Sequence, residues 1–264
     1  MLESSGAFGE ISMIPLRDEN RSYSTPYIVY ILIAVNIIVY LIDWLGSQNI
    51  APGIRIGGLF KYSMVPAQVI SGDPEIPIKY GPYLLRHVSA EPTWITIFTS
   101  MFLHGGLLHL GGNMLYLWIF GDNVENVLGH IGFLLFYLFG GFCAAAAHIL
   151  FNINSTVPTV GASGAIAAVL GAYFWLYPRN RVDCLVFLGY FVTIAEIPAV
   201  FVLGLWFVLQ LVNATLTTGA MQGGGIAFWA HIGGFVAGVI MIIMLGGRRI
   251  VAKRRRFYGD FWYD

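Results

Sequence analysis

Six apolar stretches of close to twenty residues, at about 27–45, 101–120, 130–151, 158–177, 197–213 and 225–246, divide this sequence. A hydrocarbon layer about 30 Å thick takes roughly 20 residues of helix to cross, and lipid offers no partner to an unpaired backbone group. Stretches of this length therefore read as spanning helices. Composition agrees: 57% of the 264 residues are hydrophobic and 11% charged, where an ordinary soluble domain has about 45–50% and about 25%. Too little polar material remains to cover a water-facing surface. The expected fold class is all-α, a polytopic membrane protein with six transmembrane helices. A seventh stretch, VDCLVFLGYFVTI at 182–194, has only 13 residues and is followed by Glu196 and Pro198. It is expected to be interfacial or re-entrant rather than another crossing.

Six crossings put both ends of the chain on one side. The net charge of zero, from 14 basic and 14 acidic residues, speaks against a nucleic-acid partner but conceals an asymmetry. Arg17 and Arg21 precede the first stretch, Arg179 and Arg181 follow the fourth, and Arg248, Arg249, Lys253, Arg254, Arg255 and Arg256 follow the sixth. Arg55, Lys61, Lys79 and Arg86 fall between the first and second. The positive-inside rule then makes both termini cytoplasmic in a multi-pass protein of the cell membrane. Residues 1–26 lack the cationic start and cleavage site of a secretory signal and are expected to remain as a cytoplasmic N-terminal segment. Residues 27–246 form the transmembrane domain, and 247–264 a basic cytoplasmic tail that reads as a stop-transfer flank or an anionic-lipid contact. The loop 46–93 holds Pro52, Pro66, Pro74, Pro77, Pro82 and Pro92 among apolar residues. Too long for a hairpin and too apolar for a flexible linker, it is expected to pack on the membrane surface. Cys143 and Cys184 sit in apolar surroundings and read as packing residues, with no disulfide framework or metal cluster implied.

Polar side chains inside a membrane are expensive, so their positions carry the functional signal. The second stretch reads FLHGGLLHLGGNMLYLWIFGDNVE, with His109 and Asn113 four apart on one helical face. The fourth contains GASGA, with Ser163 between Ala162 and Gly164, and the sixth contains AHIGGFVAG, with His231 near its start. If the termini are cytoplasmic, these three helices run from outside to inside, so all four residues share the outer half of the bilayer. Ser163, Ala167 and Gly171 recur every four residues, as do Ala230, Gly234 and Gly238; small residues at that spacing let two helices approach closely. A serine hydroxyl becomes nucleophilic when a neutral imidazole takes its proton, which assigns the base to His231. The Asn113 amide, the His109 imidazole and the Ser163 N–H are candidate donors to the oxyanion. With no carboxylate at this depth, a Ser–His dyad is expected rather than a triad. His104 reads as structural, His87, His130 and His148 as interfacial, and Asp122 and Glu125 as solvated carboxylates at the inner end.

In the blocks HGGLLHLGGN, GASGA and AHIGGFVAG the sequence resembles the rhomboid family of intramembrane serine proteases. The resemblance implies a six-helix core, a nucleophile at Ser163, a base at His231, and oxyanion stabilisation by His109 and Asn113. It further implies that 46–93 is a membrane-lying first loop, that the fifth span is a lateral gate, and that substrates are single-span membrane proteins. A helix must unwind locally to expose its peptide bond, so Gly, Pro or small residues near the cut should be favoured. Two departures stand out. Many relatives carry a Trp-Arg pair in the first loop, where this chain has PTWITIFTS, with Trp94 and no arginine. Some have an aromatic four residues after the serine that packs on the histidine, where this chain has Ala167.

Two other classes fit parts of the pattern. A non-catalytic protein on the same fold could bind membrane helices without cutting them. A transporter could use intramembrane His and Asn as a proton path, although repeated halves and broken helices are not evident. The sequence has no HExxH and no paired intramembrane aspartates, so neither a metal nor any other cofactor is expected.

Overall fold

In the computed structural model, the described residues are 12–20, 22, 24–51, 54–56, 58–86, 88–188, 191–217 and 227–259. The chain begins with β1 (Ser12–Asp18) and enters α1 (Tyr27–Gly46) directly after Pro26. The loop that follows is folded. It holds β2 (Gln48–Ala51) paired with β3 (Ile54–Ile56), then α2 (Gly58–Tyr62) and α3 (Pro66–Ser71), then β4 (Ile78–Tyr80) paired with β5 (Tyr83–Leu85). Phe60, Val65 and Ile78 form its own small core, and the buried Gln68 amide stitches it by accepting from Ser89 Oγ and donating to the Ile76 carbonyl. Pro52 and His87 lie outside the described residues.

The stretch 93–102 makes only short turns, including α4 (Thr96–Thr99). The expected second span therefore shifts: α5 runs Leu107–Leu128, not 101–120. Gly105 and Gly106 break the chain before it, and the polar GDNVEN sequence continues the helix because its side chains find partners inside the protein. α6 (His130–Phe151), α7 (Ser163–Leu176), α8 (Ala199–Thr217), α9 (Phe228–Met244) and α10 (Gly247–Gly259) complete the helices. α7 stops at Tyr177, just before Pro178, where the proline ring disfavours further helix. The first residues expected in the sixth span, 225 and 226, lie outside the described residues, as do Arg21 and the side chains of Arg255 and Arg256. α1, α5, α6, α7, α8 and α9 overlap the six apolar stretches. By length and composition α1 and α6 can each cross a membrane, and α9 with α10 forms a third candidate bent by 60°.

The all-α reading needs correction, although the chain is mostly helical. The stretch 182–194, expected to be interfacial or re-entrant rather than a crossing, is not helical: β6 (Arg181–Leu188) and β7 (Phe191–Pro198) form an antiparallel hairpin, and β1 adds to it in the order β1-β6-β7. Val182, Cys184 and Val186 point inward on alternate positions. Their period of two is masked in the sequence because the intervening Leu185 and Phe187 are also apolar. Part of the N-terminal segment is thereby built into the fold through β1.

The core lies where α5, α6, α7 and α9 meet, and its interfaces are nearly bare backbone. A Cβ added to Gly238 would sit 2.0 Å from the Ala168 carbonyl oxygen, one on Gly234 2.2 Å from that of Gly164, and one on Gly171 2.1 Å from that of Phe235. α6 joins through Ala144 against Gly164 and Ala147 against Gly233.

At the C-terminal end of α5 the carboxylates expected to be solvated are drawn into the protein, Asp122 in part and Glu125 fully. Glu125 is buried, and its two oxygens accept the N–H groups of Ile28 and Val29 at 3.0 and 2.9 Å, capping α1. His130 Nδ1 lies 2.5 Å from the same carboxyl group. Asn126 Oδ1 accepts from Ser24 Oγ and from Arg254 of α10. Asn123 is bonded to Asn20 and to Asp18 of β1, and Tyr173 Oη donates to Asp18 at 2.6 Å. This cluster ties β1, α1 and α10 to one end of α5.

Burial pushes Asp18 from its ordinary 3.8 up to about 6, with the Tyr173 hydrogen bond partly opposing the rise. A raised carboxyl pKa means that the folded state holds a proton the unfolded state has lost, so this contribution to stability falls as pH rises from about 4 to 6. Thermal unfolding in detergent should show the slope, of order 1–2 kcal/mol, and Asp18→Asn should flatten it. Gly238→Val should cost at least about 2 kcal/mol, because the added carbons meet backbone that cannot move aside. Gly112→Ala, where nothing lies within 4 Å, should leave the unfolding temperature unchanged or raise it.

Candidate active site

Ser163 opens α7, and the turn before it is held from two sides. Thr159 pairs with Met64 of the long loop through two backbone bonds of 3.0 and 2.8 Å, and the Gly161 N–H donates to the Ser100 carbonyl at 2.9 Å. Gly161 has φ +126°, a conformation that a residue with a Cβ rarely adopts. A Cβ there would lie 2.8 Å from His109 Nε2 and 3.6 Å from Ser163 Oγ, so the imidazole edge and the hydroxyl converge on one bare Cα. As the first residue of the helix, Ser163 has an N–H with no partner inside α7.

The close approach of α7 and α9 brings His231 Nε2 to 2.8 Å from Ser163 Oγ. His231 is buried. On its other side Nδ1 lies 2.8 Å from Oε1 of Gln210 on α8, and the Trp206 ring sits at 5.7 Å, tilted by 35°. Gln210 and Trp206 were not among the candidates from sequence. The signal was there: Gln210 is a strongly polar residue inside the otherwise apolar AVFVLGLWFVLQLV, the same anomaly that marked Asn113. The position four after the serine, where an aromatic might have held the histidine, is Ala167. It packs at the helix crossing beside Gly234, and the aromatic contact comes instead from Trp206.

Ser163, His231, His109, Asn113 and His104 all border one cavity of about 1080 Å³. Asn113 is buried, and among the described residues its Nδ2 has no hydrogen-bond partner. A buried donor without a partner costs free energy, so its presence beside a cavity is consistent with a group that waits for an acceptor. His104, expected to be structural, is buried, with both ring nitrogens unpartnered among the described residues and its ring edge-on to His109 at 5.2 Å. His148 is not simply interfacial: Nε2 lies 3.2 Å from Thr159 Oγ1, in the loop leading to Ser163. Trp94 is exposed. Among the described residues no three His, Cys, Asp or Glu side chains come together to hold a metal ion. The arrangement offers a hydroxyl bonded to an imidazole, with an amide donor and a second imidazole across the same cavity.

Comparison with known proteins adds an independent finding. The sequence profile of the rhomboid domain matches residues 91–248. "Rhomboid protein 1, mitochondrial" of Saccharomyces cerevisiae is 29% identical over 163 residues, 60% of this chain and 44% of the yeast protein. "Rhomboid protease GluP" of Bacillus subtilis is 32% identical over 157 residues, 60% of this chain and 27% of that protein. "Rhomboid-like protein 11, chloroplastic" of Arabidopsis thaliana is 30% identical over 207 residues, 75% of this chain and 69% of the plant protein. The chain thus spans less than half the length of the first two.

Gly161→Ala strains the turn and pushes against His109. The reaction of Ser163 with a fluorophosphonate should slow on the order of 10- to 100-fold, since displacements of about 1 Å carry penalties of this size. Labelling at the unchanged rate would show that the Gly161–His109 contact does not position the hydroxyl.

Proposed function

This chain belongs to the rhomboid family of membrane proteins, and from that premise we propose that it is an intramembrane serine endopeptidase cutting single-span membrane proteins in or near their transmembrane helix. The observation that carries the reading is the 2.8 Å contact between His231 Nε2 and Ser163 Oγ. His231 takes the hydroxyl proton as Oγ attacks the scissile carbonyl, and returns it to the leaving amine. The tetrahedral oxyanion is received by the Ser163 N–H, Asn113 Nδ2 and the His109 imidazole, donors held in a site where lipid and protein limit water. Water then attacks the acyl-enzyme, with His231 again as base, and frees Ser163.

Six transmembrane helices are proposed: α1, α5, α6, α7, α8 and α9, within a domain at 27–246. The polar cluster at the inner end of α5 supports this arrangement. His109 and Asn126 are 17 residues apart, or about 25 Å along the helix, so the site and the cluster that binds β1 and α10 belong to opposite faces. With the basic residues of α10 on the inner face, both termini are cytoplasmic and the site opens to the outer half of the bilayer. The cell membrane is the proposed location on charge asymmetry alone; the plant and yeast relatives carry chloroplastic and mitochondrial in their names. The long loop is proposed to lie on the outer surface against the turn before Ser163, the 247–264 segment to be a basic tail against the inner leaflet, and α8 to be the gate.

Purified protein in liposomes should cleave a single-span test substrate with a small-residue or Gly/Pro-containing helix, and Ser163→Ala should abolish cleavage. Equal cleavage by Ser163→Ala would sink the proposal, and binding without cleavage by the wild type would favour the helix-binding alternative. Asn113→Ala should lower kcat by about 10²–10³-fold with KM little changed, the usual cost of one oxyanion donor.

A further inference from the structure

Resting on the Ser163–His231 reading above, we propose that Gln210 on α8 is a positioning residue that fixes the tautomer of His231, and that the pair is ordered for reaction only while α8 is packed against α9. The side-chain oxygen of Gln210 can only accept, and it lies 2.8 Å from His231 Nδ1. With that oxygen as its partner Nδ1 carries the ring proton in this proposal, which leaves Nε2 bare and facing Ser163 Oγ at 2.8 Å. The opposite tautomer would point an N–H at the serine and could not take its proton. In a Ser-His-Asp triad an acidic residue does this work; here a neutral amide does it, without burying a charge in lipid.

The geometry around Gln210 is built for the contact. Trp206 and Gln210 are four apart on α8, and His231 and Phe235 are four apart on α9, so each pair shares a face. These faces meet. Phe207 stacks on Phe235 at 4.6 Å, Trp206 lies 6.3 Å from Phe235 and 5.7 Å from His231, and Phe174 of α7 closes the cluster at 5.6 Å from Phe235. The outer side of α8 is apolar and exposed, with Phe201, Leu205, Val208 and Leu209 uncovered. The α7–α9 interface locks backbone to backbone, whereas α8 is held to α9 by side chains. A helix held in this way can separate from α9 without disturbing the Ser163–His231 crossing, and separation would remove the acceptor at Nδ1.

The test is the tautomer itself, read by NMR on the full-length protein with 15N-labelled histidine in detergent micelles at neutral pH. In the wild type His231 should show a protonated Nδ1 and a bare Nε2. Gln210→Met keeps the side-chain length and removes the acceptor; it should give a mixture or the reverse tautomer, with kcat lowered about tenfold or more and KM within about twofold. Gln210→Glu restores a carbonyl acceptor and should restore the wild-type tautomer. A bare Nδ1 in the wild-type spectrum overturns the proposal without any variant. So does a Gln210→Met protein that unfolds at the wild-type temperature and keeps the wild-type tautomer. The spectrum needs no substrate, so failure of Ser163→Ala to abolish cleavage would remove the protease reading and leave this result standing.

Discussion

The close crossing of α7 and α9 is the contact on which the rest of the structure depends. Between helices in lipid there is no hydrophobic force to spend, since the surrounding tails are as apolar as any leucine; attraction comes from van der Waals packing and from hydrogen bonds at short range. Both need the backbones to come near each other. Gly171, Gly234 and Gly238 permit this where any Cβ would strike a carbonyl group, and Ala167 and Ala168 fill what little space remains. Only at this separation can short side chains near the ends of two helices, a serine and a histidine, meet at 2.8 Å.

α5 shows two ways in which a membrane protein handles polar groups. At its C-terminal end Asn123, Glu125 and Asn126 are buried, and each is bonded to another segment of the chain. Their polarity holds β1, α1 and α10 in place and is fully used by the fold. Towards its N-terminal end Asn113 and the neighbouring His104 are buried and, among the described residues, leave nitrogen atoms unpartnered beside a cavity. Buried polar groups are usually satisfied, because leaving them bare costs on the order of 1–3 kcal/mol each. The protein saturates one end of the helix and leaves the other available, and the available end is the one facing Ser163.

The candidate site residues were legible in the sequence because lipid makes polar residues conspicuous. Ser163, His231, His109 and Asn113 stand out against apolar neighbours, and the topology expected from the charge asymmetry gives them a common depth. Gln210 carries the same mark, yet one polar residue in a span has no partner pattern until α8 is set against α9. The cluster at the C-terminal end of α5 was misread for a related reason: Asp122 and Glu125 follow an apolar run, and composition cannot distinguish a carboxyl group in water from one that caps the start of α1, 97 residues earlier at Ile28. The hairpin at 181–198 escaped because both of its faces are apolar enough to hide a period of two, and because its partner β1 lies 166 residues away at the Arg17–Asp183 contact.

The sequence by itself determined the solvent, the helical character, the small-residue faces and the chemistry of the residues brought together, since each follows from local composition and periodicity. Only the tertiary structure decided where α5 begins, that the polar residues at its C-terminal end are bonded within the protein, that strands lie beside the helices, and that an amide on α8 faces the far nitrogen of His231. Those features are set by pairings between segments distant in the chain. Such pairings depend on which surfaces fit at close range, and no local pattern of residues encodes that.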